Sequence, residues 1–233
     1  MRIAVIPARG GSKRIPAKNI RDFMGTPVLQ LTIEKIIKFN FFQDVYVSTE
    51  DEATSEIAIN CGAKILKRET SLSNDFATTL DVMHDAVNQL RSDVVEASDY
   101  VTCIYPVTPL LKFKHLQEAF RILEKVNEGY VFVAQNQSAQ MSRSFYFNDI
   151  GKIEMLFPAQ EKIRTQDVTQ IYSDAGLFYT GKASTWLSRI PLFGPESRFV
   201  EIGKYDSVDI DTEEDWKFAE ELFRIRMGNA QEE

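Results

Sequence analysis

Thirteen residues, Pro7-Ala8-Arg9-Gly10-Gly11-Ser12-Lys13-Arg14-Ile15-Pro16-Ala17-Lys18-Asn19, follow a short apolar run and gather Arg9, Lys13, Arg14 and Lys18 onto one loop. The adjacent glycines, Gly10 and Gly11, permit positive φ, which would turn backbone amides toward an anion. The chemistry that suits such a loop is the cradling of a polyphosphate. Neither standard phosphate loop is present, because the GxxxxGK[ST] spacing is missing and no GxGxxG follows the strand. A P-loop NTPase and a dinucleotide-binding dehydrogenase therefore both lose ground. Taken alone, the run is equally compatible with a solvated basic turn. Near the other end, Ser207-Val208-Asp209-Ile210-Asp211-Thr212 supplies the opposite charge. On an extended segment residues i and i+2 share a side, so Asp209 and Asp211 can aim two hard oxygens at one point while Ile210 packs the other way. That pair suits Mg²⁺, which keeps several waters and is usually held by one or two carboxylates plus substrate phosphate. The competing reading is that Asp211 caps the helix that follows, with Glu213, Glu214 and Asp215 favouring its positive end.

These groups need a scaffold that brings the two ends of the chain together. Short apolar runs alternate with amphipathic stretches through the first half. The pattern predicts strands at Ile3 to Ile6, Val45 to Ser48, Lys64 to Leu66, Tyr100 to Tyr105 and Tyr130 to Ala134. Helices are predicted at Val28 to Phe39, Glu52 to Asn60, Leu80 to Leu90 and Leu116 to Val126. This is a doubly wound, mainly parallel α/β sheet, whose ligands sit beyond the carboxyl ends of the strands. The loops after Ile6, Ser48, Leu66 and Tyr105 should then face one cleft. From 135 to 172 the pattern turns polar, with short alternating pieces around Asn148-Asp149-Ile150-Gly151, and reads as a hairpin-bearing insertion. Ala175 to Tyr179 and Phe199 to Ile202 would return to the sheet, and Glu213 to Arg226 would close it as a helix capped by Asp211 or Thr212. Residues 1–134 and 173–233 thus form the α/β domain and 135–172 the insertion, with a short polar tail after Met227.

The chain has 233 residues and a net charge of −7, so a broad nucleic-acid or anionic-membrane surface is not expected and any basic patch must be local. No apolar run is long enough for a membrane span, and the short N-terminal one, ending in Arg9, reads as a strand rather than a secretion signal. Cys61 and Cys103, with only His84 and His115 beside them, cannot build a Cys/His zinc site, and a reduced, cytoplasmic chain is the simplest reading. Both histidines are expected to be solvated or half-buried, Cys103 to lie in strand core and Cys61 at a helix end.

The thirteen-residue loop resembles the amino-terminal signature of cytidylyltransferases that make CMP-activated nonulosonic acids, the sialic acid type of enzyme. The resemblance runs from Ile3 to Trp216. It implies a Rossmann-like nucleotidyltransferase fold and a loop wrapped around the triphosphate of CTP, with Arg9, Gly10, Gly11, Ser12, Lys13, Lys18 and Asn19 as its contacts. Arg9 and Lys18 would neutralise charge on the α-phosphate and the departing pyrophosphate. The segment Arg68 to Thr79 resembles the base-recognition segment, which assigns cytosine to Arg68, Ala77 and Thr79; without the resemblance it reads as a helix entrance capped by Asp75 or Thr78. Ser48-Thr49-Glu50-Asp51 resembles the family too, but an N-cap explains it equally well and no catalytic role is assigned. The resemblance also places metal ligands at Asp209 and Asp211. Sialic acid enzymes carry a glutamine where this chain has Tyr105, and the branch acting on pseudaminic acid is the nearer match, through Arg164-Thr165-Gln166-Asp167 and Tyr172-Ser173-Asp174-Ala175-Gly176-Leu177-Phe178-Tyr179. Tyr105, Arg164, Gln166, Asp174 and Tyr179 become the sugar candidates, Arg164 because a guanidinium grips a carboxylate with two bonds. A homodimer, with the insertion reaching into the neighbour's cleft, and a place in bacterial surface-glycan synthesis are likewise implied. Sialic, legionaminic and 3-deoxy-octulosonic acid remain alternative sugars, and a non-catalytic nucleotide-binding module is the alternative class.

Overall fold

The computed structural model describes residues 1–91 and 94–229. Strand β1 (Arg2–Pro7) explains the layer structure by itself: Ala4 and Ile6 enter one apolar cluster and Ile3 and Val5 another, all fully buried. A strand buried on both faces must be covered on both. After a short hairpin, β2 (Asp22–Phe23) and β3 (Thr26–Pro27), helix α1 (Val28–Lys38) leads to β4 (Asp44–Thr49). Helix α2 (Glu52–Asn60), β5 (Lys64–Lys67), α3 (Thr79–Arg91), β6 (Tyr100–Ile104), α4 (Phe113–Leu123) and β7 (Tyr130–Asn136) follow in alternation. Leu29 and Ile33 of α1 and Leu116 and Ala119 of α4 pack on one face, and Met83, Ala86 and Val87 of α3 on the other.

Beyond β7 come a one-turn helix α5 (Ser138–Met141) and a separate hairpin, β8 (Phe145–Phe147) with β9 (Ile153–Met155). The chain returns as β10 (Tyr172–Lys182), α6 (Ala183–Leu187), β11 (Arg198–Glu201) and the closing α7 (Glu213–Asn229). The seven-stranded sheet has the order β11-β7-β10-β6-β1-β4-β5. All its pairings are parallel except those of β10, which runs antiparallel to both β6 and β7. That reversal puts the start of β10, not its end, at the cleft side. Between Asp174 and Tyr179 its register with β7 shifts, and Gly176 takes φ +62 inside the bulge, a device that re-aims side chains beside a site.

The expected elements are present with shifted ends. Helix α4 begins three residues before Leu116, and β10 takes in Tyr172 from the expected insertion. Helices α5 and α6 and the β2–β3 hairpin are too short to show a period in the sequence. The polar tail expected after Met227 is helical to Asn229, and residues 230–233 lie outside the described residues.

A third, smaller cluster joins the two ends of the chain: Ile15 of the cationic loop, Phe23, Val28, Ile210 between the two aspartates, and Trp216 and Ala219 of α7. Phe23 meets Trp216 edge-on at 5.6 Å, and Arg21 covers the Trp216 ring while pairing with Glu213.

His115 departs from expectation. It is 4% exposed, with Nε2 3.4 Å from Asp206 Oδ2, and Lys112 and Arg226 pair with the same carboxylate. Burial pushes its pKa down to about 4, although Asp206 opposes this. On acidification the unfolded chain therefore takes up this proton first. The stabilisation is complete above the ordinary value of about 6.5 and is lost as pH falls toward 4. Urea unfolding should lose on the order of 2–3 kcal/mol across that window, and His115→Gln should flatten this part of the profile.

Candidate active site

The loop after β1 is held from behind by the end of β4. Ala8 N–H donates to the Ser48 carbonyl (3.0 Å), Gly10 N–H to Glu50 Oε1 (3.0 Å), and the Asn19 amide closes the loop onto the Arg9 carbonyl (2.9 Å). Neither Gly10 nor Gly11 has positive φ; in this loop that conformation falls to Ala17, at φ 51. The expectation of glycine amides turned outward by positive φ is corrected accordingly. Gly10 is required for another reason: a Cβ there would lie 2.9 Å from Asp51 Oδ1, and Asp51 is engaged in capping α2 through the Thr54 amide. With the Gly10 amide turned to Glu50, the cradle is built mainly from side chains.

Those side chains line one cavity of about 550 Å³, within the range that takes a small-molecule ligand. Arg9, Ser12, Lys13, Arg14, Lys18 and Asn19 form one wall. Arg68, Ala77, Thr79, Tyr105, Gly176 and Asp209 are among the residues that line the rest. Three of the four expected strand-end loops thus reach the cleft directly, and the β4 loop supports them from below.

Arg68 is only 4% exposed. Its Nε and Nη2 hydrogen-bond the Ser48 hydroxyl (3.2 Å) and carbonyl (2.8 Å). Burial lowers its pKa, and Glu50 supplies the main opposing charge. Glu50 Oε2 is itself buried without a hydrogen-bond partner. Ser48 and Glu50, given no role from sequence, are thus what anchors both the cationic loop and the buried arginine; the available signal was that parallel strands β1 and β4 place their exits side by side.

Asp75 pairs with the loop rather than capping α3. Thr78 and Asp81 make a reciprocal capping box at the start of α3, so Asp75 is not needed as a cap. Its carboxylate instead pairs with Arg9 (2.8 Å) and Lys13 (2.5 Å), whose hydrogen bonds hold its pKa down. A similar box settles the role of Asp211. Thr212 caps α7 with Asp215, leaving Asp211 to pair with Arg14 (2.5 Å) and Lys18 (3.5 Å). Asp209 stands beside it; desolvation first, then the neighbouring Asp211 charge, raises its carboxyl pKa. Two hard oxygen donors, one of them an anion that lacks an ion-pair partner among the described residues, fit a hydrated divalent cation. No cluster of three or more His, Cys, Asp or Glu suited to a metal exists among the described residues, so substrate oxygens and water would complete the shell.

Of the sugar candidates, Tyr105 and Tyr179 meet edge-on with ring centres 5.7 Å apart; Tyr105 OH lies 2.8 Å from Thr79 Oγ1, and Tyr179 OH donates to Asp174 Oδ2. The structure does not bring Arg164 or Gln166 to this group. Both are exposed in the 135–172 segment and neither lines the cavity.

The sequence profile of the cytidylyltransferase family matches residues 3–232. The chain belongs to that family. The pseudaminic acid cytidylyltransferase of Campylobacter jejuni is 35% identical to this cytidylyltransferase over 229 residues, covering 98% of each. The N-acylneuraminate cytidylyltransferase A of Danio rerio is 32% identical, over 97% of this chain and 51% of the relative. Among solved structures, a CMP:2-keto-3-deoxy-manno-octonic acid synthetase complexed with CTP superposes with a TM-score of 0.71 at 17% identity, covering 97% of this chain and 99% of that one. The 4-diphosphocytidyl-2C-methyl-D-erythritol synthase of Anaerococcus prevotii gives 0.66 at 14%, covering 96% and 98%. These two likenesses bear on the fold, which is that of Rossmann-like nucleotidyltransferases. The enzyme is a nucleotidyltransferase.

Because Asp75 occupies cations that a phosphate would claim, Asp75→Asn should tighten pyrophosphate binding a few-fold at low ionic strength. The gain should shrink in high salt, as expected of solvent-exposed charges. Isothermal titration at two salt concentrations reads both effects, and weaker binding by the variant would contradict the competition.

Proposed function

We propose that this cytidylyltransferase joins CTP to a nonulosonic acid, pseudaminic acid, giving the CMP-sugar and pyrophosphate. The observation that carries the reading is one cavity lined by Arg9, Lys13 and Lys18 together with Asp209. Full-length similarity to a pseudaminic acid cytidylyltransferase supports the choice of sugar. In the reaction the anomeric hydroxyl oxygen bonds to the α-phosphorus, the bond from that phosphorus to the pyrophosphate oxygen breaks, and the hydroxyl proton is released. Arg9 and Lys18 are the residues that would balance charge on the α-phosphate and the leaving group, since fixed cations need no reorganisation as that charge develops. Gly10, Gly11, Ser12, Lys13 and Asn19 would shape the triphosphate site, and Arg68, Ala77 and Thr79 would read the base. Arg68 suits the O2 and N3 acceptors of cytosine.

Cytidylyltransferases of this fold generally use a divalent metal, and Mg²⁺ held by Asp209 and Asp211 is the proposed ion. When bound it would polarise the α-phosphate and help activate the attacking oxygen. Asp211 would then have to exchange its pairing with Arg14 and Lys18, cations that the triphosphate would take over.

Tyr105, which lines the cavity, is the proposed sugar contact, with Asp174 and Tyr179 as further candidates. Arg164 and Gln166 would act from the neighbour in a homodimer. The exposed apolar side chains of the insertion, including Phe145, Phe147, Ile150 and Ile153, support a dimer arm there. No helix among the described residues is long and apolar enough to cross a membrane, and two unpaired cysteines suit the cytoplasm proposed as the location. Supply of activated sugar for bacterial surface glycans is the corresponding role. CMP-sialic, CMP-legionaminic or CMP-3-deoxy-octulosonic acid synthesis is the alternative, and the N-acylneuraminate cytidylyltransferase relative supports the first of these. A non-catalytic module is disfavoured by the retention of both aspartates.

Pyrophosphate release, measured for each nucleoside triphosphate against a panel of keto-acid sugars with and without Mg²⁺, separates these readings. Metal-dependent turnover is expected for CTP with pseudaminic acid, and turnover with another sugar alone would defeat the assignment. Asp209→Asn should lower turnover by roughly a hundred-fold or more, while leaving CTP affinity in metal-free buffer nearly unchanged. Equal losses in both would contradict a role in transition-state charge.

A further inference from the structure

Two stretches that line the cavity, Tyr105 to Val107 after β6 and Val208 to Ile210 before α7, continue into segments that meet again outside it, at one guanidinium. The first runs on through Thr108-Pro109-Leu110, and Pro106 and Pro109 lack the N–H that would tie such a loop to its own backbone. Side chains from other elements hold it instead. Thr32 of α1 donates to the Pro106 carbonyl (2.9 Å), Lys35 of α1 to that of Pro109, and Arg226 Nη1 of α7 to that of Leu110 (2.7 Å). Arg226 reaches further. Its Nη2 donates to the Tyr205 carbonyl (2.7 Å) and to Asp206 Oδ1 (2.9 Å), at the head of the segment that leads into Asp209. Lys112 and His115, at the start of α4, face the same carboxylate. On the far side Ser207 Oγ donates to the Ala175 carbonyl in the bulge (2.6 Å). Arg226 thus hydrogen-bonds the backbone of both segments, although it is not among the residues that line the cavity.

We propose that Arg226 is a positioning residue, which from outside the cavity sets the segment bearing Asp209 against the loop bearing Tyr105, and so fixes the span between the divalent cation site and the sugar site. The inference rests on the reading of Asp209 as a metal ligand and adds what holds that ligand in register. A planar guanidinium presents its donors in a rigid fork, so three acceptors bound to it keep their spacing; a lysine ammonium at the same place is a point charge without that geometry. The spacing matters because misplacing reacting groups by about 1 Å can cost on the order of a hundred-fold in rate.

The test is Arg226→Lys, which keeps the charge beside Asp206 and loses the fork. Uptake of Mn²⁺ alone, read by the enhancement of water-proton relaxation without nucleotide or sugar, should need a roughly ten-fold higher concentration for half-saturation. The kcat with CTP and a keto-acid sugar should fall by a similar factor, while CTP affinity in metal-free buffer stays nearly unchanged. Arg226→Gln, which can still donate to one carbonyl, should shift both in the same direction and serves if the lysine variant does not fold. Arg224→Gln, which breaks an exposed pair with Glu221 on the same helix, should alter neither. A purely structural role for Arg226 would lower the midpoint of urea unfolding and leave Mn²⁺ half-saturation of the folded protein intact, and that result overturns the proposal. An equal loss of CTP affinity overturns it too, since the cleft as a whole would then have slackened. If the unmodified protein takes up no Mn²⁺, the reading of Asp209 as a metal ligand falls and takes the inference with it, a result distinct from uptake that is indifferent to Arg226→Lys.

Discussion

The geometry of the cleft depends on one apolar contact set, in which Ile15 from the first loop and Ile210 from the last extended segment pack with Phe23, Val28 and Trp216. Each of these side chains is nearly or fully buried, a burial worth about 1.5–3 kcal/mol for residues of this size. Ile15 sits among Lys13, Arg14 and Lys18, and Ile210 sits between Asp209 and Asp211. Holding the two isoleucines together therefore holds opposite charges together, although almost two hundred positions separate them in the chain. The hydrophobic effect supplies the proximity here. The ion pairs from Arg14 and Lys18 to Asp211, partly exposed and weak on their own, only refine it.

The second constraint is the reversed strand. In an all-parallel sheet only strand ends would reach the cleft, but β10 enters from that side and brings Asp174, Gly176 and Tyr179 with it. The bulge lets Tyr179 reach back to Asp174 five residues earlier, an approach that regular pairing would forbid because residues so far apart along a strand point away from each other. The irregular backbone thus falls at Gly176, which lines the cavity.

Much of this was legible in the sequence because it depends on local periodicity. The buried parallel strands announced themselves as short continuous apolar runs and the helices through a period of 3.6, and Asp209, Ile210 and Asp211 alternate as an extended segment must. The rest depended on distant partners. Nothing local to Asp75 says that it will sit between Arg9 and Lys13, and nothing in Ser48 or Glu50 says that a buried arginine and a loop amide will lean on them. His115 looks like any polar residue at a helix start until Asp206, far along the chain, closes over it. Gly10 leaves no room for a Cβ because of Asp51 across the strand boundary, not because of its own φ, which the sequence pattern alone suggested. The branch of the family was carried by strings of residues, whereas the placement of Arg164 and Gln166 away from the cavity could be seen only in three dimensions.

The carboxylates of Asp75 and Asp211 already engage all four cations of the wall, and offset half their charge, before any ligand arrives. Such a surface has little appetite for stray monovalent anions, since a chloride or a single phosphate would have to evict a tethered competitor at high local concentration. Only a ligand rich enough in charge to replace both at once, and accompanied by a cation to receive the displaced aspartate, makes the exchange favourable. On the proposed reading, the resting state thus favours a polyphosphate over the cell's simpler anions.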